Sequence, residues 1–214
     1  YKYMKNLLII GARGFGREVY SLAKEAQGYH KEFVVKGFLD DKADALNGMG
    51  NYPPIIDSVE HYLPEEDDVF VCALGDVIDR KRYTDMILAK SGCFINLIHN
   101  SAVVCEFAKL GVGFIIMRDV VLSNNSHIGN FVTMHIRSGA GHDVRVGDYC
   151  EIEASVITGG GVSIEDFVTI HPGAIITPHK RIGHHAVVGA GAVVVRHVKP
   201  GITVYGNPAQ RLEF

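Results

Sequence analysis

Apolar and polar positions along the chain follow one period up to about residue 98 and a different one afterwards. In the first stretch, short apolar runs alternate with helical stripes. Leu7-Leu8-Ile9-Ile10 has the length and apolar content of a buried strand, and Arg17 to Ala26 places Val19, Leu22, Ala23 and Ala26 on one helical face. Phe33 to Leu39 and Val69 to Leu74 are further strand candidates. A helix over Arg80 to Ala89 separates the latter from a strand over Phe94 to Ile98. Strand, helix and strand in this order predict a small Rossmann-like parallel sheet covered by helices.

After Ile98 the helical signal stops and a six-residue period replaces it. Stepping by six from Ile98 to Val188 gives sixteen positions, of which fifteen are apolar and one is Thr158. A second series four residues later, from Ala102 to Ala192, is mostly small or β-branched. Gly follows the aliphatic at 111, 129, 141, 147, 159, 183 and 189. Each unit reads as one short strand plus one corner, and three units close a triangular coil. A β-sandwich would alternate with period two and lose phase at its turns. Here the phase holds without insertion for about five coils. Lys180 fits the small inward position poorly, so a local distortion over Pro178 to Arg181 is expected. The expected organisation is α/β plus all-β, with a βαβ domain over 1–97 and a parallel β-helix over 98–214.

Composition limits what these halves can do. With 21 Lys+Arg against 24 Asp+Glu, the chain has no basic excess to hold a phosphate backbone, so nucleic acid is not an expected partner. No run approaches the roughly 18 apolar residues that span a bilayer, and YKYMKNLLII leads into a Gly-rich turn instead of a cleavage site. A cytoplasmic protein without membrane insertion is the expectation. Cys72, Cys93, Cys105 and Cys150 are too scattered for a disulfide framework or zinc site and read as small buried residues.

Two places carry candidate chemistry. Gly11, Gly14 and Gly16 lie between a strand and a helix, where backbone amides and a helix N-terminus can meet phosphate oxygens, and Asp40-Asp41 ends the next strand. A dinucleotide, a sugar nucleotide, or a turn that only packs helix on strand all fit. The short domain leaves little room for a full dinucleotide sheet. The second place is His142-Asp143, which the hexad phase puts at a corner, where an imidazole projects outward and a carboxylate can fix its tautomer. One coil on, Gly159-Gly160-Gly161 offers backbone amides to a developing oxyanion.

GARGFGREV at Gly11, FLDD at Phe38, ALGDVIDRKRY at Ala73, NLIHNSAVV at Asn96, GHDVRVGDYC at Gly141, VGAGAVV at Val188 and GNPA at Gly206 occur in this order over nearly the whole chain. With the hexads, the series resembles the hexapeptide-repeat acyltransferases, whose coils are left-handed, and among them the NeuD/PglD group of sugar acyltransferases. The resemblance implies an acetyl-CoA-dependent homotrimer acting on a nucleotide sugar. UDP-linked 4-amino-4,6-dideoxy sugars are the leading acceptors, with O-acetylation of a sialic-acid-type sugar or a non-catalytic nucleotide-binding trimer as alternatives. It implies that His142 is the general base with Asp143 behind it. Gly11, Gly14, Phe15, Gly16, Asp40, Asp41 and Gly75 would hold the nucleotide sugar. The acyl donor would meet Gly160, Gly161 and Glu151, and lie along Gly189-Ala190-Gly191, with Arg181, Arg196 and Lys199 as candidates for its phosphates. Glu151 stands where many relatives carry a second histidine, and His135 where an Asn is often found.

Overall fold

The computed structural model describes residues 4–212, and two compact units meet in the chain between Asn100 and Ser101. In the first unit, β1 (Lys5–Ile10) leads to α1 (Gly14–Glu25), β2 (Phe33–Leu39), β3 (Ile55–Asp57), β4 (Asp68–Cys72), α2 (Val77–Ala89) and β5 (Cys93–Phe94). All five strands are parallel, in the order β3-β2-β1-β4-β5. The chain therefore builds outward from β1 to β3 and returns to the other side of β1 with β4, which makes the β1/β4 boundary the switch point where ligands sit in open α/β sheets.

The apolar runs pack as their sequence dictates. Leu7 to Ile10 are at most 1% exposed, and every residue of β4 is buried. β3 escapes the sequence pattern because it is a three-residue edge strand with exposed side chains. α1 starts at Gly14 instead of Arg17, since two of the three glycines that read as turn, Gly14 and Gly16, belong to its first turn. α2 starts at Val77 because the Asp76 carboxylate accepts from the Ile78 and Asp79 amides. Under the sheet, Lys36 Nζ lies 2.8 Å from Tyr62 Oη and 2.9 Å from Asp68 Oδ1, and Tyr62 Oη donates to Asp68 Oδ2 at 2.6 Å. Burial alone would raise the Asp68 carboxyl, but hydrogen bonds from Tyr62, the Glu65 amide and Lys36 hold it below the usual carboxylate range.

The second unit is a left-handed parallel β-helix. Short strands stack on three faces, each pairing with the strand 18 residues on except at the last step of the third face, where Val187 pairs with Thr203. The first face runs through Val103–Val104, Val121–Leu122, Gly139–Ala140, Ile157–Thr158, Ile175–Ile176 and Val193–Val194. The second runs from Lys109–Leu110 to Arg181–Ile182, and the third reaches Thr203–Tyr205. Six strands on the first face make six coils, one more than the hexads predict.

Both inward series are buried as the period requires. From Ile116 to Val188 the first is at most 5% exposed, and from Phe114 to Ala192 the second is at most 1% exposed apart from Lys180. Burying one such Val or Ile is worth about 1.5–3 kcal/mol, and the stack repeats that gain in every coil. Inward hydroxyls are satisfied locally: Ser126 and Ser138 donate to the carbonyls of Ser123 and His135, each at 2.7 Å.

Three expectations need correction. The distortion at Lys180 is absent: Ser163 pairs with Arg181 in register, the Lys180 carbonyl accepts from Ser163 N, and Lys180 Nζ turns back to the Pro178 carbonyl at 3.1 Å. Cys93 is exposed and Cys105 half-buried, while Cys72 and Cys150 are buried as expected. The recurrent Gly after each aliphatic is also not the left-handed corner residue. That residue comes two positions later: every sixth residue from Asp119 to His185 has φ between 54° and 72°. The recurrent Gly serves close approach instead, since a Cβ at Gly141 would lie 2.9 Å from the Thr158 carbonyl of the next coil.

Candidate active site

At the switch point of the first unit, the turn after β1 and the start of α1 border a cavity of about 280 Å³. Of the residues expected from sequence, it is lined by Gly11, Phe15, Gly16, Asp40, Asp41 and Gly75, while Gly14 is exposed on the helix start outside that lining. The turn is tight. A Cβ at Gly16 would overlap the Gly11 carbonyl oxygen, so only glycine lets the helix begin there. α1 has no side-chain cap at Arg13, and its positive dipole end, with the exposed Arg13 beside it, faces a cavity suited to phosphate.

Asp40 does not wait for a ribose: its Oδ2 accepts from the Ala12 amide at 2.8 Å and its Oδ1 from the Lys42 amide at 2.9 Å. It shapes the turn that would receive the ligand. Asp41 accepts a hydrogen bond from Tyr83, and that bond first, then burial, pushes the Tyr83 hydroxyl up to about 12. Sequence reading missed Tyr83, and also Arg80, which is 1% exposed and donates through Nε and Nη2 to the Leu74 carbonyl at 2.9 and 2.7 Å. Arg80 thus pins the β4–α2 loop that carries Gly75.

His142 occupies a corner between the first and second faces of the β-helix, as the hexad phase predicts. Its Nδ1 lies 2.8 Å from Asp143 Oδ2, and the two side chains are 69% and 59% exposed. The hydrogen bond from His142, followed by smaller effects of Asn125 and His179, holds the Asp143 carboxyl below its usual range. An ionised Asp143 assigns the proton to Nδ1 and leaves Nε2 as the acceptor. Nε2 stands over Gly160, where a Cβ would overlap it.

The glycine triplet divides its amides unequally. Gly159 N donates to the Ile176 carbonyl at 2.8 Å and Gly161 N to the His142 carbonyl at 2.9 Å. Gly161 therefore has no amide to offer a ligand. The Gly160 N–H has no acceptor among the described residues, so one donor, beside the imidazole, is available to a developing oxyanion.

The remaining expected donor contacts lie elsewhere. Glu151 is on the third face, only 3% exposed, and its Oε1 is 2.6 Å from His135 Nε2. Gly189, Ala190 and Gly191 sit at the corner between the third and first faces, below which stand His135, Glu153 and His171. Arg181 pairs with Glu165, which also accepts from the His184 amide at 2.8 Å. Arg196 and Lys199 are exposed.

Known proteins match both units of the chain. The sequence profile described as PglD N-terminal domain matches residues 6–87. The GDP-perosamine N-acetyltransferase of Escherichia coli is 32% identical over 216 residues, 96% of this chain and 95% of that protein. Among solved structures, PerB from Caulobacter crescentus in complex with CoA and GDP-perosamine is similar with a TM-score of 0.88 at 26% identity, covering 99% of both chains. The acetyltransferase domain of PglB from Neisseria gonorrhoeae in complex with acetyl coenzyme A also reaches 0.88, at 28% identity over 98% of this chain and 100% of that one. Agreement over both units, together with the hexad order and the His142 corner, means that the chain belongs to the NeuD/PglD-like family of sugar acyltransferases and is an acyltransferase.

Proposed function

We propose that the protein transfers an acetyl group from acetyl-CoA to the amine of a nucleotide-linked 4-amino-4,6-dideoxy sugar. The observation that carries this reading is the His142-Asp143 pair, with Nε2 against Gly160, whose amide is the unbonded one of the glycine triplet among the described residues. The amine nitrogen attacks the thioester carbonyl and its proton passes to His142 Nε2. Asp143 stabilises the resulting imidazolium, and the Gly160 N–H meets the oxyanion. The carbon–sulfur bond then breaks without a covalent enzyme intermediate.

The nucleotide part belongs to the cavity of the first unit, with the start of α1 and Arg13 toward the diphosphate and Asp40 keeping the turn in shape. Sequence reading put UDP first. The Escherichia coli relative is named for a GDP sugar and PerB is in complex with one, which favours GDP. In an assay of purified protein with acetyl-CoA, GDP- and UDP-linked 4-amino sugars and sialic acid, CoA release is expected with a nucleotide-linked amine. Release with the hydroxyl acceptor alone would refute N-acetylation.

A homotrimer fits the outward column of the first face. Val103, Val121, Ile157 and Ile175 are 53, 43, 55 and 43% exposed, a flat apolar strip along the coils. Clefts between copies would let a donor reach from one corner of a coil to a different corner of its neighbour. Light scattering should give three times the 23.4 kDa chain mass, and a single-chain mass at assay concentration would contradict the assembly. Among the described residues no helix is long and apolar enough to cross a membrane.

A further inference from the structure

The corner that holds His142 carries a second imidazole. Asn125, Asp143, Gly161 and His179 fill one corner slot in four successive coils, with φ of 60°, 60°, 68° and 60°. The slot before it holds Asn124, His142, Gly160 and Pro178. Stacked strands are about 4.8 Å apart, so side chains normally fill such a column. At Gly160 and Gly161 there are none, and the two rings lean into the gap from opposite ends. His142, from the coil before, brings Nε2 to where a Gly160 Cβ would be. His179, from the coil after, brings Nδ1 within 2.5 Å of where a Gly161 Cβ would be.

The back of the gap is the Gly160-Gly161 backbone. Gly161 N donates to the His142 carbonyl and His179 N to the Gly160 carbonyl at 3.0 Å, which fixes both histidine backbones to the same dipeptide. The only amide left over is that of Gly160.

His179 has no evident structural task. It is exposed, and its ring makes no hydrogen bond among the described residues. It holds the left-handed conformation common to every residue in its slot. Of the nearby charges, Asp143 is hydrogen-bonded to His142 and also feels His179, and Lys180 Nζ turns to the Pro178 carbonyl. One coil further on, His197 Nδ1 accepts from the Arg181 amide, and Arg196 is exposed.

We propose that His179 is a second catalytic residue, a general acid for the departing thiolate on the side of the carbonyl opposite His142. This rests on His142 being the base. The amine proton goes to His142 Nε2 as the C–N bond forms. The C–S electron pair leaves with sulfur, and the His179 imidazolium gives it a proton to form CoA thiol. Proton exchange with water returns His142 to the neutral form and His179 to the charged form. An imidazole suits this duty because its two forms interconvert near neutral pH.

The test uses the full-length protein with His179→Asn, which tolerates the left-handed corner, and His179→Gln as a second variant, each checked for unchanged mass and melting midpoint. With acetyl-CoA and the best nucleotide-linked amine, kcat is expected to fall about 10²-fold, while both KM values stay within about threefold. The alkaline limb of the kcat–pH profile should vanish in both variants. An unchanged kcat, a fall carried by KM, or an alkaline limb that persists would each overturn the assignment. His142→Gln separates this from the underlying reading: if that variant keeps wild-type activity, the base assignment fails whatever His179 does.

Discussion

His142→Ala is expected to lower kcat for acetyl transfer by at least about 10²-fold, with little change in KM for either substrate. The loss falls on kcat because the Nε2 lone pair is needed only when the amine gives up its proton, whereas the surfaces that bind the substrates are elsewhere. Folding should be unaffected. The side chain is 69% exposed, packs no core, and its main partner Asp143 is itself exposed. The Gly161 amide bonds to the His142 backbone carbonyl, which alanine keeps. Steady-state kinetics alongside a melting curve would check this. A non-catalytic nucleotide-binding trimer requires the opposite result, in which the variant and the parent are indistinguishable in every assay.

The second large effect is expected from Gly16→Ala. A single methyl there collides with the Gly11 carbonyl oxygen, a backbone atom that cannot step aside. Gly11 N is bound to the Leu39 carbonyl at 2.8 Å, and the Ala12 amide is held by Asp40. Relief requires α1 to lift from the sheet, withdrawing Val19, Leu22 and Ala23 from the core. The cost is about 3 kcal/mol, the upper end for overpacking, and it falls on the first unit. Calorimetry should show a lowered transition for that unit, with affinity for GDP reduced at least about tenfold. Wild-type affinity for GDP in a Gly16→Ala protein would mean that the turn is not where the nucleotide binds.

The β-helix was legible in the sequence to the level of single side chains because its period is set by geometry: each coil returns the chain to the same face, so one inward residue predicts the next. The α/β unit was legible only where apolar runs were long. β3 is a short exposed edge strand with no pattern to detect, and the glycines that start α1 have the propensity of a turn.

At the site, the hexad phase placed His142 at its corner, but stepping by six hides what stepping by 18 shows. His179 lies two coils beyond Asp143 in the same slot, and the gap at Gly160-Gly161 becomes visible only when the coils are stacked. Glu151 illustrates the reverse limit. The resemblance made it a contact of the acyl donor, yet it is buried against His135, and burial from outside the coil leaves no mark in a periodic sequence.

The left-handed residue that recurs at every sixth position also governs how this family member can change. A corner is interchangeable with the corner above it, so whole coils of 18 residues can be gained or lost at either end of the stack while the core remains continuous. Between Asn125 and His179 that freedom ends: removing one coil would close the glycine gap, adding one would part the two imidazoles, and a single-residue deletion would turn every later side chain onto the wrong face. Diversification of the acceptor is therefore left to the termini of the coil and to the separate α/β unit, while the stretch between the two histidines is held to a fixed count.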